Sequence, residues 1–167
     1  IGTGTFERKA GDKAAFRASP ESDNATLSLA TDLIAERQLG KGPATDLIAI
    51  GLSATDIVGH AYGTQGNEMC TQIVALDAMI DQFFRTLDAQ GIDYAVVLTA
   101  DHGGQDAPER ARTSAIPDAA RVVRALTPKG LNAALTKSTG LSAPLIYGDG
   151  AFGDMYLSPA LKPAQRK

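Results

Sequence analysis

The sequence predicts an α/β fold in which helices sandwich a parallel β-sheet. Two apolar runs, at 46–52 and 94–100, each hold at least four successive apolar residues between turn-forming residues. Such runs are typical of strands that are buried on both faces. A helical pattern fills 66–87, between the two runs. Strand, helix and strand then form a βαβ unit over 46–100, whose strands run parallel and whose crossover is right-handed.

The pattern at 66–87 is that of a long amphipathic helix. Its apolar residues recur in alternating steps of four and three, which puts them on one face. They are Met69, Ile73, Leu76, Ile80, Phe83 and Leu87. Cys70 lies next to this face, so we predict a small buried side chain there rather than a reactive thiol. An earlier helix is predicted to begin at Asp23 and to end near Gly40.

The remaining segments carry weaker patterns. Residues 1–22 are rich in Gly, Lys, Ser and Pro and predict a loop or linker. Residues 105–110 are polar and predict a solvated loop. A helical excursion is predicted over 115–140, as two short helices at 116–126 and 129–139, followed by a small hairpin at 144–158. We predict that 23–167 forms part of a single domain.

Composition excludes two classes of partner. A length of 167 residues fits one domain with a real core, and the net charge is -3 with a pI near 5.3. Non-specific nucleic-acid binding depends on clustered positive charge, so we expect no nucleic-acid partner. The apolar runs are far too short to span a bilayer, so we expect no membrane partner. A single cysteine cannot form an internal disulfide.

The chain contains two histidines, and each has an aspartate close by, just after a predicted strand. Asp56 and His60 follow the first apolar run, and Asp101 and His102 follow the second. The carboxyl ends of parallel strands share one edge of a sheet, where ligands bind. We therefore expect both pairs to meet at the same edge. The spacing of the first pair puts both side chains on one face if 56–60 is helical.

Aspartate and histidine together indicate a metal site. Carboxylate oxygen and imidazole nitrogen suit zinc, and also manganese or iron. Two such pairs at one edge suggest two ions, which could act together on a phosphorus centre. The adjacent residues of the second pair need a backbone turn, and we expect Gly103 and Gly104 to provide it. The alternative is that both histidines are structural, with Asp56 in a turn and Asp101 as a cap.

The motifs themselves resemble a known family. Ser-Ala-Thr-Asp-x-x-Gly-His-x-Tyr-Gly at 53–63 and Leu-Thr-Ala-Asp-His-Gly-Gly at 98–104 are similar to the alkaline phosphatase superfamily. The resemblance is greatest to its secreted zinc alkaline phosphatases with a threonine nucleophile, near the nucleotide pyrophosphatase/phosphodiesterase branch. It implies that Asp56 and His60 bind one zinc ion and that Asp101 and His102 bind another. It also implies an alkaline-phosphatase-like fold, present here only in part.

The implied activity is hydrolysis of phosphate monoesters through a two-zinc site and a phospho-enzyme intermediate. The resemblance places the nucleophile upstream of this chain and a third histidine ligand downstream. We therefore expect a portion of a longer enzyme that is inactive alone. A periplasmic or extracellular location, with a small phosphate ester as substrate, is implied in the same way.

Three alternatives remain open at this point. A phosphodiesterase or nucleotide pyrophosphatase would carry the same metal pairs, since esters are distinguished by pocket residues that the motifs do not include. A sulfatase or a phosphoglycerate mutase relative fits the motifs less well. A catalytically incomplete, metal-binding fragment is the alternative from outside the enzymes.

Overall fold

The computed structural model describes residues 3–114, 116–142, 144–150 and 153–166 of the chain. Two compact units are present, Ile1–Ala111 and Arg112–Lys167. The first unit contains the helices α1 (Lys13–Arg17), α2 (Pro20–Arg37), α3 (Ala54–Tyr62) and α4 (Asn67–Ala89), and α5 (Pro108–Ser114) crosses the boundary. None of the helices in the described ranges combines the length and hydropathy of a membrane span. That both units belong to one domain over 23–167 stays a prediction.

The N-terminal segment is more ordered than the predicted loop over 1–22, of which residues 1 and 2 lie outside the described ranges. Helix α1 begins where the Asp12 carboxylate accepts the Ala15 N–H at 3.0 Å. Helix α2 begins at Pro20, a residue whose fixed φ suits the first helical position. The prediction was wrong over 13–17 and 20–22, because a five-residue helix and the first turn of α2 carry no apolar periodicity long enough to reveal them.

Helices α2 and α4 pack against each other and form the core of the first unit. The buried residues of this core are Leu27, Ala30, Ile34, Phe83 and Leu87. On α2 they recur at steps of three and four, which is one helical face. Partly buried side chains from 46–52 and from Ile92 extend this core. Both predicted helices therefore exist: the one predicted from Asp23 to near Gly40 is Pro20–Arg37, and the one predicted at 66–87 is Asn67–Ala89.

The two apolar runs are not strands, and the predicted parallel sheet is not present in the described ranges. No backbone–backbone hydrogen bond of the described residues involves 46–52 or 94–100. In the first run, Ile48, Ile50 and Leu52 pack on the α2–α4 core. Leu47, between them, faces outwards and is 93% exposed. In the second run, Val97 is 92% exposed.

The strands are absent at 46–52 and 94–100 because an apolar run indicates that a segment tends to be buried but does not specify a segment to pair with. A strand forms only when a neighbouring segment supplies its backbone groups at a spacing of about 4.8 Å. No described segment does so here. The first run instead rests on the helix layer through Ile48, Ile50 and Leu52, which are partly buried, whereas 94–100 is exposed and contacts α4 through the Tyr94 ring, stacked on Phe84.

The two runs nevertheless share a direction. At their beginnings, the Asp46 carboxylate accepts the Gly40 N–H at 2.8 Å, and Gly40 lies against the Ile92 side chain. A methyl group on Gly40 would approach Ile92 Cγ2 to 2.7 Å, so this contact requires glycine. At their ends, the side chains of Asp56 and His102 approach each other. The common direction expected of a βαβ unit is therefore present without the sheet.

The buried face of α4 differs from the predicted stripe in its first half. Gln72 is fully buried there, whereas Ile73 is about half exposed. Cys70 is also exposed, so its predicted burial was wrong. The first half of α4 faces α3 through polar side chains, and an apolar periodicity does not detect such a face.

The second unit is organised by helix α6 (Pro128–Thr139) and an antiparallel pair of short strands. Strand β1 (Ile146–Tyr147) pairs with β2 (Tyr156–Leu157), inside the predicted hairpin at 144–158. Residues 151 and 152, in its connection, lie outside the described ranges, as does residue 143. The Asn132 side chain joins α6 to β1 through hydrogen bonds with the backbone of residues 145 and 146.

Of the two helices predicted at 115–140, α6 is the second. The first is replaced by a turn near Pro117 and a 3-10 turn at Arg124–Leu126, and residue 115 lies outside the described ranges. A proline removes a backbone donor and disfavours a helical residue before it, so it breaks the pattern that predicted this helix.

Core packing leads to a matched stability test. Phe83→Ala should lower the free energy of unfolding by about 3 kcal/mol, because it leaves a cavity between α2 and α4. Val97→Ala, at an exposed position, should change it by less than about 0.5 kcal/mol. Urea unfolding followed by circular dichroism measures both. A loss at Val97 as large as that at Phe83 would contradict the exposure of the second run.

Candidate metal centre

Helix α3 carries the first Asp–His pair. Asp56 lies in its first turn and His60 one turn later, so the two side chains share a face. Their closest atoms, Asp56 Oδ1 and His60 Nε2, are 3.4 Å apart. The helical turn that the spacing required at 56–60 is therefore present, as part of Ala54–Tyr62.

The second pair follows the exposed run at 94–100 and meets the first. His102 Nε2 lies 3.8 Å from Asp56 Oδ1 and 3.5 Å from Asp101 Oδ2. All four side chains are open to solvent over about half of their surface or more. The structure thus brings together Asp56, His60, Asp101 and His102, the four residues singled out by sequence, at one accessible edge.

The backbone orients the ring of His102. Its Nδ1 lies 2.9 Å from the carbonyl oxygen of Gly103. A carbonyl oxygen only accepts, so Nδ1 carries the proton and the neutral ring presents a free lone pair at Nε2. Histidines that bind metals are held by such a bond at their other nitrogen. The lone pair faces the carboxylates of Asp56 and Asp101.

The same surroundings favour a proton on His102. The hydrogen bond to Gly103 raises the pKa of His102 above its usual value, and the negative charges of Asp101 and Asp56 raise it further. Because its folded-state pKa is raised, protonated His102 stabilises the folded chain at pH values below its unfolded-state pKa. This contribution is lost as the pH rises through the folded-state pKa. A cation at Nε2 therefore competes with a proton, and its binding strengthens as pH rises through that pKa.

The distances between the donor atoms fit a shared ion better than direct hydrogen bonds. A charge-assisted N–H···O bond is about 2.7–2.9 Å long. Two ligand atoms held tetrahedrally by zinc, at bond lengths of about 2.0–2.1 Å, lie about 3.3 Å apart. The separations within the two pairs, 3.4 Å for Asp56 and His60 and 3.5 Å for Asp101 and His102, fall nearer the second value. The donor types and spacings therefore fit zinc.

The number of ligands is smaller than a closed zinc site requires. In the part of the chain that the structure describes, no three His, Cys, Asp or Glu side chains form a group arranged to hold one ion. A catalytic zinc site uses three protein ligands and an open position. The two pairs therefore supply ligands of the correct kind for part of each site.

Gly104 contributes in a different way from the one predicted. Neither Gly103 nor Gly104 has a positive φ, so the turn does not use the freedom of glycine in that region. A methyl group on Gly104 would instead approach the Thr64 methyl carbon to 2.8 Å. The absence of a side chain allows the segment after His102 to lie against the segment after α3.

A buried ion pair between Asp106 and Arg110 joins the segment after His102 to the segment after α3. Asp106 Oδ1 accepts the Gln65 N–H at 3.1 Å and pairs with Arg110, which also donates to the Tyr62 carbonyl oxygen at 3.3 Å. The Asp106 side chain is 7% exposed and that of Arg110 is 24% exposed. The prediction of a solvated loop at 105–110 was therefore wrong for Asp106 and Arg110, because these two side chains bond to the backbone at and just after the end of α3.

Burial of the Asp106 carboxylate opposes its ionisation, but its partners outweigh that effect. Desolvation raises the pKa of Asp106, whereas the N–H groups of Gln65 and Ala107 and the Arg110 guanidinium lower it, and the net pKa is below the usual value. Sequence reasoning missed this pair. The available signal was the spacing of four between Asp106 and Arg110, which also occurs in many exposed helical pairs.

The similarity of the chain to a family model and to several alkaline phosphatases places it in the alkaline phosphatase superfamily. Within it, residues 5–147 match the family described as type I phosphodiesterase / nucleotide pyrophosphatase. The chain belongs to this family.

Several alkaline phosphatases are similar to the chain. Alkaline phosphatase PhoK of Sphingomonas sp is 53% identical over 167 residues, which cover 99% of this chain and 30% of PhoK. Alkaline phosphatase PhoD of Zymomonas mobilis is 47% identical over 169 residues, 100% of this chain and 29% of PhoD. The crystal structure of wild type alkaline phosphatase PafA matches with a TM-score of 0.67 and 27% identity, covering 80% of this chain and 25% of that one. The chain thus spans about 30% of the length of these curated relatives.

The buried ion pair at Asp106 can be tested against an exposed pair of the same spacing. Asp106→Asn should destabilise the chain by about 2 kcal/mol at neutral pH, because it removes the buried negative charge that lies against the Arg110 guanidinium. Asp81→Asn breaks the exposed pair with Arg85 and should have no measurable effect. The free energy of unfolding in urea is the measurement.

The pH dependence of the same variant provides its control. Because the pKa of folded Asp106 is lowered, its contribution is present above the unfolded value and is lost as pH falls through the folded value. The difference between wild type and Asp106→Asn should therefore narrow as the pH falls below about 4. A difference that stays constant with pH would contradict a role for the Asp106 charge.

Proposed function

We propose that the protein hydrolyses phosphate monoesters in a metal-dependent reaction, with Asp56 and His60 binding one zinc ion and Asp101 and His102 binding a second. The observation that carries the proposal is the convergence of the two Asp–His pairs at separations of 3.4–3.8 Å. Membership of the family, and relatives named alkaline phosphatases, support it.

The residues of this chain have definite tasks in that reaction. Bound zinc supplies positive charge that stabilises the charge developing on phosphoryl oxygens. Asp56 presents one carboxylate oxygen towards both histidines. His102 keeps its Nε2 lone pair available through the bond from Nδ1–H to Gly103. The open, solvent-facing edge leaves room for a phosphate ester to approach the four side chains.

Monoesters are proposed as substrates in preference to diesters because of the names of the relatives. The matching family is named for phosphodiesterases and pyrophosphatases, whereas relatives at 53% and 47% identity are named alkaline phosphatases. A phosphodiesterase is therefore the second candidate. A location outside the cytoplasmic membrane is part of the proposal by family resemblance.

A catalytically incomplete, metal-binding chain is the third candidate, and one observation favours it. Among the described residues no group of three ligands is present. A protein that includes this chain would then complete the site with ligands and a nucleophile from other segments. The two experiments below separate metal binding from turnover for this reason.

Zinc binding by the chain is the first test. The ring signals of two histidines can be followed separately by NMR during a titration with Zn²⁺, and both should shift. His60→Ala and His102→Ala should each weaken binding at least about 10-fold, since even the outer partners of ligands are worth that much. Asp77→Asn, an exposed carboxylate on α4, is the control and should leave the titration unchanged. Unshifted histidine signals in the wild type would refute the ligand assignment.

Turnover is tested with a chimera. Residues 1–167 replace the matching 30% of Sphingomonas PhoK, to which they are 53% identical. We expect the chimera to hydrolyse p-nitrophenyl phosphate faster than bis(p-nitrophenyl) phosphate, and the chain alone to hydrolyse neither. His60→Ala or His102→Ala in the chimera should reduce the rate about 100-fold or more, because zinc contributes several kcal/mol to the transition state.

The chimera also distinguishes the candidates. A preference for the diester would select the phosphodiesterase, and metal-dependent turnover by the isolated chain would contradict an incomplete site. A folded chimera that binds zinc without hydrolysing either ester would show that this segment does not support the proposed reaction.

A further inference from the structure

Helix α2 buries a carboxylate that has no cationic partner. Asp23 is 1% exposed and lies in the first turn of α2. None of the ion pairs found in the described ranges includes it. A buried carboxylate without a cation is costly unless several donors point at it. The identity of its donors therefore indicates what it does.

One donor is the first residue of helix α3. The Ala54 N–H donates to Asp23 Oδ1 at 3.1 Å. Ser53, in the N-cap position of α3, makes no side-chain hydrogen bond to that helix. Asp23 therefore provides from another helix the carboxylate that normally comes from the N-cap residue, and its charge complements the positive end of the α3 dipole.

The other donor joins a third helix to the same point. Gln72, on α4, is fully buried, and its Nε2 donates to Asp23 Oδ2 at 3.0 Å and lies 3.4 Å from Thr55 Oγ1. Its Oε1 has no hydrogen-bond partner in the described ranges. An apolar side chain at position 72 would have no such unsatisfied atom. The advantage of the Gln72 amide is its nitrogen, which bridges α2 and α3.

We propose that Asp23 and Gln72 are positioning residues for the metal-binding pair on α3. They hold the backbone of Ala54 and the side chain of Thr55, the two residues directly before Asp56. A helix rises about 1.5 Å per residue, so the Asp56 carboxylate is about 3 Å along the axis from the bond that holds Ala54. A small rotation of α3 would carry Asp56 and His60 away from Asp101 and His102.

This inference rests on the proposed function, because it assumes that the pair on α3 binds metal. It also differs from a general role in stability. Loss of stability would weaken binding at both Asp–His pairs alike. Loss of α3 positioning would weaken binding at His60 first, since Asp101 and His102 are on a different segment.

The test is a Zn²⁺ titration of the whole chain, with an apparent dissociation constant read from each histidine ring by NMR. Asp23→Asn keeps the size of the side chain and removes its charge. It also leaves one acceptor oxygen in place of the two that receive the Ala54 N–H and the Gln72 Nε2–H. We expect the constant read at His60 to rise about 10-fold and the constant read at His102 to rise clearly less. Asp32→Asn, an exposed carboxylate on the same helix, should change neither.

A charge-swapped variant provides the rescue. In the double variant Asp23→Asn with Gln72→Glu, the amide introduced on α2 can donate to the carboxylate introduced on α4, which also accepts from Thr55. The hydrogen bonds and the charge are both restored with their positions exchanged, so zinc binding at His60 should recover. Failure of the double variant to recover binding would overturn the proposal.

The remaining outcomes are decisive as well. Equal weakening at both rings, or none at either, would overturn the positioning role. If Asp23→Asn does not fold, Thr55→Val removes only the outer contact, and unchanged binding at His60 would overturn the proposal. A wild-type chain that binds no zinc would instead refute the proposed function, which separates the two failures.

Discussion

The placement of two extended segments beside one helix pair determines where the candidate ligands lie. Residues 46–52 pack on the α2–α4 core through Ile48, Ile50 and Leu52, whereas 94–100 is exposed and contacts α4 through Tyr94, whose ring stacks on Phe84; each segment leads directly into an Asp–His pair. The helix layer therefore brings the two pairs to one edge, although no ladder of backbone hydrogen bonds joins the segments in the described ranges. Burial of the apolar side chains of 46–52 contributes to this arrangement.

Helix α3 is held at both of its ends, and the two attachments use charge in different ways. At its beginning, the Ala54 N–H bonds to Asp23, a buried carboxylate whose pKa is raised by desolvation and is moderated by the donors of Ala54 and Gln72. At its end, Arg110 binds the Tyr62 carbonyl oxygen and neutralises Asp106. The proposed ligands Asp56 and His60 lie between these points. A metal site on a short helix needs such support, because nine residues of isolated helix are marginal in water.

The site was more predictable from sequence than the fold around it. Both histidines occur in motifs of specific spacing, and those motifs meet because the segments before them share a direction. The strand predictions were wrong because an apolar run such as that at 94–100 indicates a tendency to be buried. Strand pairing also needs a second segment, which the run itself does not specify. Asp23 and Gln72 were missed for a related reason. The sequence pattern suggested that Asp23 caps its own helix, and Gln72 lies outside the apolar stripe of α4, so their role depends on contacts between helices that an apolar periodicity does not reveal.

The outward face of the second extended segment has a consequence for how the chain behaves in solution. Leu98 and its neighbour Val97 are exposed, next to backbone groups that have no partner in the described ranges. Flat, apolar, unpaired segments are templates for edge-to-edge association between molecules. A lysine in place of Val97 would put a positive charge in the middle of this exposed apolar run, which is how gatekeeper residues discourage such association.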